Sequence, residues 1–288
     1  MYDARGSELF DKITELPEYY PTRTEASILE TQGARIIETS DADALVELGS
    51  GSSRKTEMLL RPLLERTPDA LYVPIDFSES AVREASVRLV EKYSGLRVHG
   101  VIGDFELHLG GLPVTGARLF AFLGGTIGNF TPERMVFFLR RLAQLLQADD
   151  TLLIGIDLVK DPNELEAAYN DSQGVTADFN KNVLSAINSN LRGDFDLDAF
   201  GHVAFFDKDN SWIEMRLRSL TDQRVRIAAL DMKLDFAHGD EISTEISRKF
   251  QRHAFERDLA SAGLTLRGWF TDDDQRFALA LAAPRAAD

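Results

Sequence analysis

Short apolar runs alternate with segments of helical spacing along most of this chain, and that alternation restricts the fold more than any other feature. "ALVEL", residues 44–48, closes on Gly49-Ser50-Gly51, and "TEMLLRPLLER" after it carries apolar residues at helical intervals. "LYVPID" then ends in Asp76, "ESAVREASVRLVEKY" reads as a helix, and "LRVHGVIGDF" as a third strand ending near Asp104. "ARLFAFLGG" is a fourth, fully apolar strand. The helix that follows starts at Thr131-Pro132-Glu133, where a cap residue, a proline and an acid meet, and "DTLLIGIDL" makes a fifth strand. Apolar strands separated by helices predict an α/β fold, a doubly wound parallel sheet covered on both faces.

From about residue 160 the rhythm changes. "DPNELEAAYNDSQGVTADFNKNVLSAINSNL" is helical and polar, and "GHVAFFD" and "SWIEMRLRSL" are joined by the hairpin signal Lys208-Asp209-Asn210. "VRIAALDMKLDF" and "ISTEISRKF" also have strand character. The earlier style returns with helix "HAFERDLASAG", strand "LTLRGWFTD", turn "DDQ" and strand "FALALAAP". The expected organisation is a sheet domain of residues 24–158 plus 250–288, interrupted by an α+β module of 159–249. Residues 1–23 are expected to join the module, with the first 40 residues contributing to a cover.

Composition narrows the chemistry. The chain has no cysteine, which excludes disulfides, thiol nucleophiles and cysteine-ligated zinc. The five histidines, His99, His108, His202, His238 and His253, lack metal-ligand spacing, so no metal is expected. With 47 acidic against 32 basic residues the net charge is −15, whereas a nucleic-acid partner demands a basic face. No apolar run approaches the roughly 20 residues that cross a bilayer, and the N-terminus lacks a signal-peptide layout. A cytoplasmic monomer acting on a small molecule, away from membranes, is the expectation.

The strand ends supply the chemistry for a ligand. A doubly wound sheet binds at the carboxyl ends of its strands. Gly49 and Gly51 allow close backbone approach. Asp76, 27 residues after Gly49, stands where a carboxylate accepts hydrogen bonds from a ribose diol. Asp104-Phe105 offers an acceptor and a ring face to an adenine. A nicotinamide dinucleotide shares the Asp76 logic, but the third glycine of its fingerprint is missing, with Arg54 nearby. Glu47, just before the turn, disfavours phosphate and suits a cationic ligand. S-adenosylmethionine, a sulfonium without phosphate, fits this acidic, less glycine-rich mouth. The closing helix-strand-turn-strand is likewise the usual end of a class I methyltransferase sheet.

Longer segments carry a more specific likeness. "ELPEYYPTRTE", "LVELGSGSSRKT", "GDFELHL", "FLGGTIGNFTP", "DLVKD", "GVTADFNKNVL", "DFDLDAF", "IEMRLR" and "TEISRKF", in this order from Tyr2 to about Pro284, resemble the L-histidine Nα-methyltransferases of ergothioneine biosynthesis. The resemblance implies a Rossmann-like class I sheet with an inserted substrate-binding domain. It also implies S-adenosylmethionine as cofactor and three methyl transfers to the α-amino group of histidine, giving hercynine. Gly49, Lys55, Asp76, Asp104 and Phe105 match cofactor positions. Asn129 matches the residue that binds the substrate carboxylate, with Tyr169 as its partner. Tyr19, Glu245 and Ser247 match residues around the imidazole, Met215 packs beside it, and Tyr2 matches a tyrosine near the amino group. Tyr2 and Asn129 are thereby the expected catalytic residues. Family members carry a few tens of residues before the position of Tyr2, so part of the substrate cover is expected to be absent.

Read without that likeness, the same residues have plainer roles. Tyr19 and Tyr20 are then packing aromatics, Met215 is core filler, and Glu245 and Ser247 share the solvent face of a strand. Asn129 alone, an amide in an apolar glycine-rich turn beyond strand four, points to function unaided. Two alternatives stay open: the α-amine of another aromatic amino acid such as tryptophan or tyrosine, or a non-catalytic cofactor-binding module.

Overall fold

The computed structural model describes residues 4–103 and 116–285. The chain forms two compact units, one of Met1–Thr22 with Val159–Lys249 and the other of Arg23–Leu158 with Phe250–Asp288. The first is called the insert unit below and the second the sheet unit. In chain order, helices α1 (Ala4–Glu15) and α2 (Pro21–Ser40) precede β1 (Ala44–Leu48), α3 (Glu57–Arg66), β2 (Leu71–Asp76) and α4 (Glu79–Lys92). Strands β3 (Arg97–Val98), β4 (Val101–Ile102) and β5 (Arg118–Phe122) lead to α5 (Pro132–Leu145) and β6 (Thr151–Asp157). The insert contributes α6 (Pro162–Tyr169), α7 (Val175–Leu191), β7 (Phe200–Asp207), β8 (Trp212–Ser219), β9 (Gln223–Ile227), β10 (Met232–Phe236) and β11 (Glu241–Arg248). The chain closes with α8 (Arg252–Ser261), β12 (Leu264–Thr271) and β13 (Phe277–Pro284).

The sheet unit has the expected α/β architecture. Among the described residues its sheet holds eight strands in the order β12-β13-β6-β5-β1-β2-β3, with β4 also paired to β2. Strands β1 to β6 run parallel, and β13 runs antiparallel between β6 and β12. Every residue of β1, β5 and β6 is buried, as apolar strands in a covered sheet must be. Side-chain alternation divides each strand between two cores. Val46, Leu48, Ile154, Ile156, Ala278 and Ala280 pack with Met135, Phe138 and Leu139 of α5 and with Phe255 and Leu259 of α8. Leu45, Leu153, Leu279 and Leu281 pack instead with Ile28, Leu29, Ile36 and Ile37 of α2 and with Leu59, Leu60 and Leu63 of α3. The first 40 residues therefore do not form one cover. From Arg23 onward they belong to the sheet unit, because the apolar face of α2 is part of its core.

Local signals account for the helix starts. Thr131 caps α5 by accepting from the Arg134 N–H at 3.4 Å, with Pro132 in the first turn. Asp161 and Pro162 open α6 in the same way, the Asp161 carboxylate accepting from the Asn163 N–H at 2.8 Å. Two segments depart from the sequence reading. "LRVHGVIGDF" splits into β3 and β4 around His99-Gly100, and "VRIAALDMKLDF" is interrupted by a 3-10 turn at Ala228–Leu230. That turn folds β9 and β10 into an antiparallel pair of their own.

In the insert unit, β8 lies between β7 and β11 in an antiparallel sheet. Ile13, Leu16, Tyr19 and Tyr20 pack with Leu165 and Ala168 of α6, Phe179 of α7, and Ile213 and Met215 of β8. A second cluster joins Leu184, Phe195, Phe200, Leu217, Val225 and Ile227.

Candidate active site

In the sheet unit the glycine turn after β1 is built from backbone geometry. Gly49 and Gly51 have φ of +71° and +48°, the left-handed region in which a side chain is strained. The Gly49 N–H donates to the Ile75 carbonyl at 2.8 Å, which ties the turn to the end of β2. Asp76 closes the arrangement: one carboxylate oxygen accepts from the Gly51 N–H at 2.8 Å and the other from the Ser78 N–H at 2.9 Å. Each oxygen keeps further acceptor capacity beyond these bonds. The Ser50 hydroxyl oxygen, inside the turn, is buried and has no hydrogen-bond partner. Open space where a side chain of Gly51 would stand, a fixed carboxylate and an unpartnered hydroxyl suit a ligand with a diol and polar groups, as S-adenosylmethionine has.

Glu47 departs from the expectation of an acidic mouth. It is 4% exposed and shares the β1 face of Leu45, where Tyr72 also packs. The Thr56 hydroxyl donates to it at 2.6 Å, and the Tyr72 hydroxyl donates to its other oxygen. Burial raises the Glu47 pKa to about 7, against the lowering effect of these two bonds. Its role in the structure is therefore to hold the segment after the turn onto β2.

A carboxylate that sequence reasoning did not single out lies at the other strand ends. Glu25 of α2 is fully buried, is ion-paired with Lys55, and accepts from the Gly124 N–H at 2.8 and 3.0 Å with its two oxygens. A Cβ at Gly155 in β6 would stand 2.2 Å from Glu25 Oε1, so only glycine fits beneath it. Glu25 thus joins Lys55 after the first turn, Gly124 after β5 and Gly155 in β6. Gly124 and Gly125, with φ of +81° and +69°, then lead into a 3-10 turn at Thr126–Asn129, which leaves Asn129 half-buried at its end. Tyr2, Asp104 and Phe105 lie outside the described residues.

The insert unit brings the other named residues together through side chains. Tyr19 is 7% exposed, and its ring meets that of Tyr169 edge-on at 6.1 Å between centroids. The Tyr169 hydroxyl and Ser247 Oγ are 2.8 Å apart. Glu245 pairs with Met215 across β11 and β8, and beyond the irregularity between Ser243 and Glu245 the strand runs regularly, so Glu245 and Ser247 share a face. That face is not a solvent face: Ser247 is 8% exposed and Glu245 is half-buried. Met215, 3% exposed, belongs to the apolar cluster with Tyr19.

Two more side chains support this group. Lys249 is 2% exposed and donates to the Tyr169 hydroxyl at 3.0 Å and to Ser247 Oγ at 2.9 Å. His202 Nε2 is 2.9 Å from the Tyr169 carbonyl, and its Nδ1 is 2.9 Å from the Asn180 amide nitrogen. The amide donates to Nδ1, so the proton is assigned to Nε2, which donates to the carbonyl. Desolvation lowers the His202 pKa and keeps the ring neutral in that role. Lys249 continues the alternation of Glu245 and Ser247, a period-2 signal available in the sequence; His202 had none.

Among the described residues no group of histidine, acid or cysteine side chains is able to hold a metal ion, and no helix is long and apolar enough to cross a membrane. Comparison with known proteins agrees with the residue pattern. The chain is 52% identical over 281 residues to a histidine N-alpha-methyltransferase of Mycolicibacterium smegmatis, covering 98% of this chain and 88% of that protein. It is 50% identical over 282 residues to the protein of the same name in Mycobacterium tuberculosis, with the same coverage of 98% and 88%. It is 29% identical over 276 residues to ergothioneine biosynthesis protein 1 of Neurospora crassa, covering 92% of this chain and 30% of that longer protein. Residues 1–284 match the family described as histidine-specific methyltransferase, SAM-dependent, and the chain belongs to that family.

Proposed function

We propose that this protein transfers three methyl groups from S-adenosylmethionine to the α-amino group of L-histidine, giving hercynine for ergothioneine biosynthesis. The observation that carries the reading is 52% identity to a histidine N-alpha-methyltransferase over 98% of the chain. In this reading the sheet unit holds the cofactor and the insert unit reads the amino acid. Asp76 accepts from the ribose hydroxyls, Gly49 and Lys55 hold the amino-acid end of the cofactor, and Asp104 with Phe105 hold its adenine. Asn129 and Tyr169 bind the histidine carboxylate. Tyr19, Glu245 and Ser247 hydrogen-bond the imidazole, which offers one donor and one acceptor when neutral, and Met215 packs against it.

S-adenosylmethionine supplies a methyl group already activated by its sulfonium. The protein's contribution is then to hold a neutral amine in line and to exclude water. Asn129 and Tyr169 do the first by fixing the carboxylate, which sets where the adjacent amine points. Tyr2 orients the amine lone pair and relays the proton released after each transfer, so no strong base is needed.

Glu245 favours histidine over an indole or phenol side chain, because a site built to hydrogen-bond a polar ring discriminates against rings that leave it unpaired. The test is incubation of the purified protein with S-adenosylmethionine and L-histidine, tryptophan or tyrosine, followed by mass spectrometry. Trimethylated histidine as the dominant product is expected. Methylation of tryptophan or tyrosine in preference, or cofactor binding without turnover, would overturn the reading.

A further inference from the structure

Lys249 is a buried cation bonded to two residues already assigned to the substrate. Its ammonium has three hydrogens and no lone pair, so Tyr169 and Ser247 both face it as acceptors. The two hydroxyl oxygens are also 2.8 Å from each other, so one of them donates to the other. If Tyr169 donates to Ser247, the Ser247 hydrogen is directed outside the triangle; if Ser247 donates to Tyr169, the Tyr169 hydrogen is. In either case the ammonium takes two of the four lone pairs and the bond between the hydroxyls takes one hydrogen and one lone pair, so these three bonds leave one hydrogen and one lone pair.

The lysine is held where this works. It follows β11 two residues after Ser247, and its backbone N–H donates to the Ser211 carbonyl at 2.8 Å. Its Nζ lies 4.5 Å from the centre of the Tyr169 ring, close enough for the ring's electron-rich face to favour the charge. Tyr169 is fixed independently, since its carbonyl accepts from His202. Both partners of the ammonium therefore have little freedom to turn away from it.

We infer that Lys249 is a positioning residue that holds the Tyr169–Ser247 hydroxyl pair so that its one outward hydrogen is donated to an acceptor on the substrate amino acid, either its carboxylate or its ring nitrogen. The inference rests on the histidine reading above, and it adds to that reading a buried cation that fixes two of its residues. Indole, whose ring nitrogen only donates, cannot accept that hydrogen.

The test compares Lys249→Met and Lys249→Gln with Lys249→Arg in steady-state methylation of L-histidine, with calorimetric titration of S-adenosylhomocysteine on each variant. The neutral variants are expected to raise the KM for histidine about tenfold or more, with kcat within about threefold and cofactor affinity within about twofold. Lys249→Arg, which keeps the charge and the donors, is expected to recover most of the loss. In a Tyr169→Phe, Ser247→Ala background Lys249→Met is expected to cost less than about threefold, since its partners are gone. An unchanged KM in a variant that binds cofactor normally would overturn the inference, and so would full additivity in that background. Neutral variants that lose cofactor binding as well would also overturn it, in favour of a purely structural lysine.

Competition by L-histidinol, which lacks the carboxylate, and by L-phenylalanine, which lacks the ring acceptor, identifies the partner group. The competitor whose affinity Lys249→Met leaves unchanged is the one missing it. Equal weakening of both would contradict a role toward one acceptor. Failure of the wild-type protein to methylate histidine would sink the functional reading itself, an outcome distinct from all of these.

Discussion

The two units build their candidate sites from different materials. In the sheet unit the polar groups that matter are mostly backbone or backbone-bound: left-handed glycines after β1 and β5, and an aspartate at the end of β2 held by two N–H groups. In the insert unit they are side chains holding side chains, with Tyr169, Ser247 and Lys249 bonded in a triangle and Tyr19 stacked edge-on against it. A backbone site follows from strand order and tolerates much sequence change around it. A side-chain site depends on each member, because removing one leaves buried polar partners unsatisfied. The units should therefore respond differently to single substitutions.

The largest expected effect lies in the insert unit. Glu245→Ala removes the proposed acceptor for the imidazole N–H, and kcat/KM for histidine should fall about a hundredfold or more, on the order of 3 kcal/mol. Competition between histidine and tryptophan in the variant is the check, with relative gain for tryptophan expected. An unaltered preference would place specificity elsewhere and weaken the contrast between the units.

The next effect tests how the sheet unit pays its own polar cost, at Glu47. Its folded pKa of about 7 lies above the value of 4.5 taken for an unperturbed glutamate, so the folded state binds the extra proton between these values. Stability from this group is therefore complete below about pH 4.5 and lost as pH rises through about 7, a decline of about 3 kcal/mol. Denaturant midpoints between about pH 5 and pH 8 should show this slope in the wild type and a flatter one in Glu47→Gln. Equal slopes would mean that the buried carboxylate is ionised throughout.

A similar or slightly smaller effect is expected at Gly155. A methyl group there meets Glu25 Oε1, and Gly155→Ala should cost about 2 kcal/mol in stability as the carboxylate is displaced from Lys55 and Gly124. A thermal shift together with weaker S-adenosylhomocysteine binding would show that Glu25 organises the strand ends. A stable variant with wild-type binding would reduce Glu25 to packing.

What was legible in the sequence follows the same division. The apolar strands, the Gly49–Gly51 turn, Asp76 and the Thr131-Pro132 helix start are local patterns, and the structure realises each of them where the pattern stands. The breaks at His99-Gly100 and at Ala228–Leu230 were missed because the apolar spacing continues across them while the backbone turns. Glu47 reads as a mouth residue only until the face it shares with Leu45 and Tyr72 is known. Glu25 is one acid among many on a helix, and its meaning comes from partners 30 and 99 residues away. Lys249 carried a periodic hint, but only the contacts of its ammonium show that it is buried.

The division of labour between the units is tested most directly by calorimetric titration of S-adenosylhomocysteine, and then of L-histidine at saturating cofactor, into wild type, Asp76→Ala and Glu245→Ala. Asp76 is expected to accept from the ribose, so Asp76→Ala should weaken cofactor binding about tenfold, roughly 1.4 kcal/mol, and leave histidine affinity within about twofold once cofactor is saturating. Glu245→Ala should do the reverse, losing histidine while binding the cofactor as the wild type does. Matched losses of both ligands in both variants would contradict the account, and so would unchanged cofactor binding in a folded Asp76→Ala.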